Sequence, residues 1–237
     1  MSDPTPLALV GCGNIARQHI AGYRDLFGEG CRDFTVAACC DTVREQAEQA
    51  ATEIAELQEK TPEVFDSVEQ LISANVAAAA DVCVPHYAHH LVAIPLLEAG
   101  LDVLCEKPLG VTLKAGRKII EAAEAGGRVL ATAEDIRRFL PARACLWALT
   151  EEKLLGDLHT GTVQLFQYGP FDYTNPTFKW RGIRTLTGGG MLLDSGAHFA
   201  DMCLCLFGDL QHAYCTLSAL DRRTIEDAPV VGTAAAD

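Results

Sequence analysis

Two short stretches hold residue types that can do chemistry together. The apolar run Leu7 to Val10 empties into Gly11-Cys12-Gly13-Asn14-Ile15-Ala16, and a later run, Val103-Leu104-Cys105, closes on Glu106-Lys107-Pro108. Gly11-x-Gly13-x-x-Ala16 has the spacing of a turn that cradles a dinucleotide. Two glycines allow a tight turn and close backbone approach, and a small third residue lets the next helix lie against the strand. A pyrophosphate then rests on the helix N-terminus, where N–H groups and the helix dipole favour negative charge. A lysine ending a later parallel strand points into the crevice where such sheets bind ligands, so Lys107 can touch both cofactor and substrate.

Asp41 ends the second apolar run, 28 residues beyond Gly13 (41 − 13), somewhat past the usual offset of about 20. A carboxylate there accepts hydrogen bonds from adenosine ribose hydroxyls and repels a 2'-phosphate. The expected cofactor is NAD, while Arg44, one helical turn on, keeps NADP open. The alternative for Asp41 is a plain helix cap before Thr42.

Such residues act only if strands deliver them to one edge. Short apolar runs alternate with helical stretches through the first half, the pattern of a parallel sheet covered by helices. The predicted strands are Leu7 to Val10, Thr35 to Cys40, Val82 to Pro85, Val103 to Cys105 and Arg128 to Ala131, with a weaker one near Val64. The predicted helices are Ile15 to Leu26, Thr42 to Gln58 and Thr112 to Ala125; Thr112 caps the last and Gly126-Gly127 stops it. Pro95 within His86 to Ala99 predicts a kink or a late helix start. Residues 1–135 are therefore expected to form a doubly wound α/β dinucleotide-binding domain. Beyond them, Arg137 to Lys153 reads as helix, and His159 to Tyr168 and Gln211 to Leu220 alternate like half-exposed strands. Residues 136–237 are expected to form an α+β second domain on a mainly antiparallel sheet.

A net charge of −13 over 237 residues, with no Lys/Arg cluster, argues against nucleic acid or an anionic membrane as partner. The start Met1-Ser2-Asp3-Pro4 lacks the character of a secretory signal, and no run approaches the roughly twenty apolar residues of a membrane span. A cytoplasmic protein is expected. Of ten cysteines, Cys39, Cys83 and Cys105 lie in apolar runs, no C-x-x-C occurs, and Cys203-x-Cys205 has the wrong spacing for a zinc pair. Reduced thiols and no metal are expected.

Taken in order, the glycine turn, Pro85-His86-Tyr87-Ala88-His89, Glu106-Lys107-Pro108 and Gly189-Gly190-Met191-Leu192-Leu193-Asp194-Ser195-Gly196-Ala197-His198 resemble the signature of the glucose-fructose oxidoreductase / inositol dehydrogenase family. The resemblance spans nearly the whole chain. It implies a Rossmann domain binding NAD or NADP, with Gly11, Gly13, Asn14, Ile15, Ala16, Asp41, Pro85, His89, Glu106 and Lys107 on the cofactor side. It implies a carbohydrate-like substrate, a sugar, polyol or related cyclic alcohol, oxidised or reduced at a hydroxyl/carbonyl carbon. Lys107, Asp194 and His198 would be catalytic, and Arg181 would join them in holding substrate. Apart from the resemblance, the outward face of the alternating strand would turn toward the cleft, so Tyr168, Asp172 and Tyr173 are expected to line the substrate pocket. The family's cis Lys-Pro bond carries over to Lys107-Pro108.

The reaction asks for these residue types on its own terms. Taking hydride from a carbinol carbon leaves a carbonyl only if the hydroxyl proton also goes, and histidine serves best as that base. Asp194 lies four residues before His198 and would orient the imidazole if the segment from Ser195 onward is helical. Lys107 would stabilise developing alkoxide charge. His86 and His90 read as solvated or capping. Two departures stand out: Leu101-Asp102 replaces the family's usual lysine-histidine, and family members usually run on by about a hundred residues. The second departure suggests a truncated second sheet and a homo-oligomer formed through it. An NAD-dependent glycosidase that oxidises a sugar transiently, and a non-catalytic dinucleotide sensor, are the competing readings.

Overall fold

The computed structural model describes residues 3–134, 140–164, 179–217 and 232–235. The chain forms two compact units, Met1–Ala133 and Glu134–Asp237. In the first, β1 (Thr5–Val10), β2 (Phe34–Cys40), β3 (Glu63–Phe65), β4 (Ala79–Val82), β5 (Asp102–Glu106) and β6 (Leu130–Ala133) make one six-stranded sheet in the order β3-β2-β1-β4-β5-β6. Every pairing is parallel. The helices between them are α1 (Asn14–Gly28), α2 (Arg44–Ala55), α3 (Val68–Ala74), α4 (His89–Glu98) and α5 (Leu113–Gly126).

Alternation along the strands builds two cores. Ala8, Val10, Ala38, Cys40, Ala80, Val82, Val103 and Cys105 face Leu71 of α3, Leu96 and Leu97 of α4 and Ile119 of α5. The intervening residues Leu9 and Cys39, joined by Val36 where the register of β2 against β1 shifts, face Ala16 and Ile20 of α1 and Ala47, Ala50 and Ile54 of α2. Burying each such Leu or Ile contributes about 1.5–3 kcal/mol, which commits helices to both faces and sends the loops to the strand ends. The sheet is doubly wound, as the sequence pattern predicts.

Local signals hold where they are strongest. Thr112 accepts the Ala115 N–H at 3.1 Å and Gly127 closes α5 in the left-handed region (φ 59). Other bounds move with the ladder. The strand expected at Val82 to Pro85 lies earlier, because its pairing with β1 ends at Val10↔Val82, where β1 gives way to Gly11. Likewise β6 starts at Leu130 because β5 pairs there, Val103↔Leu130. A short 3-10 turn, His86–Ala88, precedes α4, so the regular helix starts late and Pro95 stays inside it. The seven-residue α3, capped by Ser67 on the Gln70 N–H, is too short to show an apolar period.

The second unit is more helical than expected among the described residues. It contains α6 (Leu140–Thr150), a 3-10 turn Trp180–Gly182, α7 (Arg184–Thr187), α8 (Gly190–Asp194) and α9 (Gly196–Phe207). A two-stranded antiparallel pair, β7 (Tyr214–Leu217) with β8 (Gly232–Ala235), follows. Residues 159–164, predicted as the start of a strand, carry none. An alternating segment becomes a strand only beside a partner, and none pairs with it among the described residues. The remainder of that predicted strand, through Tyr168, lies outside the described residues, as do residues 137–139 of the predicted helix.

Candidate active site

The glycine turn is clamped from both sides. Gly11 N–H donates to Cys40 O at 2.8 Å and Cys83 N–H donates to Val10 O at 2.7 Å. Gly11 has φ +86, and a Cβ there would lie 2.8 Å from the Cys83 backbone, so a side chain is excluded twice over. Gly13 differs: a Cβ would meet only Gln46 Oε1 at 3.8 Å. Gly13 caps α1 without any side-chain hydrogen bond, which leaves the first turn's N–H groups for an anion in an open approach. Gly11→Ala is therefore expected to cost about 1–3 kcal/mol of stability. Gly13→Ala is expected to keep the parental melting temperature yet weaken NAD binding, a split that melting with and without NAD reads directly.

Asp41 ties this turn to β2. Its Oδ2 accepts the Cys12 N–H at 2.7 Å and its Oδ1 the Val43 N–H at 2.8 Å. The capping alternative needs correction, since Val43 is the N-cap of α2 and the helix starts at Arg44. A carboxylate offers about four acceptor positions, so two remain for a diol. Arg44 is committed elsewhere, at 2.9 Å from Glu48 and 3.0 Å from Asp66.

Three neighbouring strands end at this same edge. Pro85 follows β4, and Glu106 closes β5 just before Lys107, whose bond to Pro108 is cis. His89, expected beside the cofactor, needs correction. It is fully buried, with Nδ1 2.8 Å from Pro108 O and Nε2 3.0 Å from Val84 O. Burial pushes its pKa down, opposed by these carbonyls. With no accessible surface, His89 braces the loop after β5 against the end of β4 rather than touching a ligand. His86 is also buried, 5% exposed and edge-on to His89, not solvated as expected.

Beneath this edge lies a cluster the sequence reading missed. His19 of α1 places Nδ1 2.7 Å from Asp81 Oδ2 and Nε2 3.1 Å from Glu106 Oε1, while Tyr23 O–H donates to Asp81. Burial alone would lower the His19 pKa, but hydrogen bonds led by that to Asp81 push it up to about 12. The signal was present. Ala16, His19, Ile20 and Tyr23 share the buried face of α1, and Asp81 interrupts an apolar strand, and buried charges require partners. Ligand-type atoms of His19, Asp81 and Cys83 lie within 4.8 Å of one another. The 2.7 Å contact of Nδ1 and Oδ2 has the length of a charge-assisted hydrogen bond.

In the second unit, His198 of α9 turns Nδ1 to both oxygens of Glu134, at 2.7 and 2.8 Å. A carboxylate only accepts, so Nδ1 carries the proton and Nε2 is the basic nitrogen. Glu134 is a residue the sequence reading did not single out. The helix expected from Ser195 onward is present, α9 running from Gly196 with Ser195 as its N-cap, while Asp194 closes the preceding α8. Asp194, 8% exposed, pairs with Arg181, whose guanidinium stacks 4.8 Å above the Trp180 ring. Carboxylate and guanidinium, both expected at substrate, thus meet each other. Tyr168, Asp172 and Tyr173 lie outside the described residues. All ten cysteines are free thiols, and burial pushes that of Cys83 up to about 12.

A parallel sheet in the order β3-β2-β1-β4-β5-β6, reversing direction between β1 and β4 beside a glycine turn on a helix N-terminus, defines a dinucleotide-binding Rossmann domain. Residues 6–134 match the family model described as "Oxidoreductase family, NAD-binding Rossmann fold", and residues 145–236 match the GFO/IDH/MocA C-terminal domain. The chain belongs to the GFO/IDH/MocA oxidoreductase family, which bears out the resemblance carried by its motifs. It is 29% identical over 218 residues to D-glucoside 3-dehydrogenase of Escherichia coli K12, covering 87% of this chain and 55% of that protein. It is 30% identical over 195 residues to 1,5-anhydro-D-fructose reductase of Ensifer adhaerens, covering 81% and 54%. The chain thus spans about half the length of these relatives. Its fold matches the WlbA dehydrogenase of Bordetella pertussis, solved with NADH and UDP-GlcNAcA, at a TM-score of 0.80 and 24% identity over 94% of this chain and 66% of that one. Among the described residues no helix is long and apolar enough to cross a membrane.

Proposed function

We propose that this chain carries the hydride-transfer site of an NAD-dependent oxidoreductase acting on a hydroxyl/carbonyl carbon of a sugar, polyol or related cyclic alcohol. One observation carries the reading. The glycine turn, Pro85 and Glu106-Lys107 leave three adjacent strands, β1, β4 and β5, at the edge where the strand order reverses, the position where such sheets bind ligands. Relatives named as a glucoside dehydrogenase and an anhydrofructose reductase support the substrate class.

Bound there, NAD supplies a nicotinamide ring that accepts a hydride with its electron pair. The chain's residues do the rest. Gly11, Gly13, Asn14, Ile15 and Ala16 present backbone to the pyrophosphate, and the acceptor positions left on Asp41 take the ribose hydroxyls. His198 Nε2 removes the hydroxyl proton while Glu134 holds Nδ1–H. Lys107 donates to the oxygen as charge develops on it. Arg181 holds the Asp194 carboxylate in place, a role in orienting substrate rather than in proton transfer. Self-association belongs to the same reading, since β7 and β8 pair only with each other among the described residues and each keeps an unpaired edge. We assign the chain to the cytoplasm, supported by its ten free thiols, which an oxidising compartment tends to pair.

A screen of sugars, inositols and sugar acids for stoichiometric reduction of NAD tests the activity. Its absence across these classes, with NAD bound, defeats the reading; reduction that is only catalytic in cofactor points to a glycosidase. Cofactor choice is tested separately. Asp41→Ser is expected to weaken NAD binding by about 1–3 kcal/mol, since ribose hydroxyls lose a charged acceptor, and to narrow the gap to NADP. Unchanged NAD affinity in a fluorescence titration sinks the assignment of Asp41.

A further inference from the structure

Lys107 leaves β5 under the control of its neighbour. Glu106 Oε2 accepts the Lys107 backbone N–H at 2.9 Å, and Glu106 Oε1 faces His19 Nε2 at 3.1 Å. On the other side of the ring, Nδ1 lies 2.7 Å from Asp81 Oδ2, the same oxygen that accepts the Tyr23 O–H. A neutral imidazole has one N–H and one lone pair, whereas carboxylates only accept. Two carboxylates on one ring therefore demand a proton on each nitrogen. The ring is a cation between two anions, with side-chain exposures of 15% for His19, 1% for Asp81 and 12% for Glu106. Removing the cation from such a setting leaves like charges facing each other with little water to screen them, and Glu106, 12% exposed, is less enclosed than Asp81 at 1%.

We propose that His19 is a positioning residue for Lys107: through Glu106 it sets the backbone from which the Lys107 side chain departs. The proposal rests on the reading of Lys107 as the group at the reacting oxygen. It gives His19 a task on the face of α1 opposite to solvent, one turn beyond the glycine turn that binds the cofactor, so a single helix serves both. His89 holds the same loop from the other side through Pro108 O. Lys107 thus sits between two histidines that each act on its flanking backbone.

Amide hydrogen exchange on the full chain reads this link without any turnover. His19→Gln keeps one donor and loses the second donor and the charge. Exchange at the Lys107 N–H is expected to accelerate about tenfold or more, as for the loss of a charge-assisted hydrogen bond, while Leu9 in β1 and Cys39 in β2 keep parental rates. An unchanged rate at Lys107 overturns the proposal, and so does an equal acceleration across the whole sheet, which marks His19 as a stabiliser of the fold only. Should this variant not fold, Tyr23→Phe removes just the O–H on Asp81 and is expected to accelerate exchange at Lys107 by about threefold under the same criteria. Turnover provides a second reading through a double-mutant cycle. The kcat of His19→Gln/Lys107→Ala is expected to stay within about threefold of Lys107→Ala alone, and a full product of the two single effects overturns the proposal. Lys107→Ala with parental kcat is a different result: it removes the catalytic reading of Lys107, and the exchange rates then decide whether His19 sets its backbone.

Discussion

Replacing His198 by Asn is expected to lower kcat/KM for alcohol oxidation by about 10²- to 10⁴-fold, the usual contribution of a positioned general base. Asn preserves a donor toward Glu134 but has no basic nitrogen to take the hydroxyl proton. Glu134→Gln adds a second reading of the same residue. A neutral amide presents an NH₂ as readily as a carbonyl to Nδ1 and no longer dictates the tautomer, so kcat is expected to fall while KM for NAD holds. A His198→Asn variant with near-parental turnover would falsify the assignment and revive the reading of a non-catalytic sensor.

Lys107→Ala carries the second large effect, a fall in kcat of about 10²- to 10³-fold, typical of losing one donor to a developing oxyanion. Affinity for NAD is expected to change little, because in the proposed reading the pyrophosphate lies at the turn after β1 and the ribose at Asp41, two and more strands' ends away along the edge. The split between kcat and cofactor affinity is the diagnostic feature: an interaction realised only as charge develops lowers kcat, whereas one made equally in the ground state raises KM. Loss of NAD binding in step with loss of kcat would instead mark Lys107 as a cofactor contact alone. The cis bond to Pro108 and the brace from His89 remain in the variant, so the loop keeps its course.

What the chain's linear order determined is what depends on near neighbours. Alternating runs specify strands, and their separation by amphipathic stretches specifies parallel pairing with helices on both faces. Gly11-x-Gly13-x-x-Ala16 requires its turn because Gly11 alone tolerates φ +86 against the Cys83 backbone. Thr112 and Gly127 bound α5 by contacts within one turn. Strand limits were less legible, since β4 and β6 extend only as far as their partners do.

The polar partners were decided by tertiary structure. His19 meets Asp81 across 62 residues and Glu106 across 87, and His198 meets Glu134 across 64. The spacing of Asp194 and His198 suggested a helical pair, and Ser195 does cap the helix that carries His198, yet Asp194 closes the helix before it and turned to Arg181 instead. A buried charge takes whichever opposite charge or donor the packing brings within about 3 Å, because leaving it unpaired costs more than any local preference can supply. Periodicity carries which face of an element is buried; it carries nothing about which distant side chain will be waiting there.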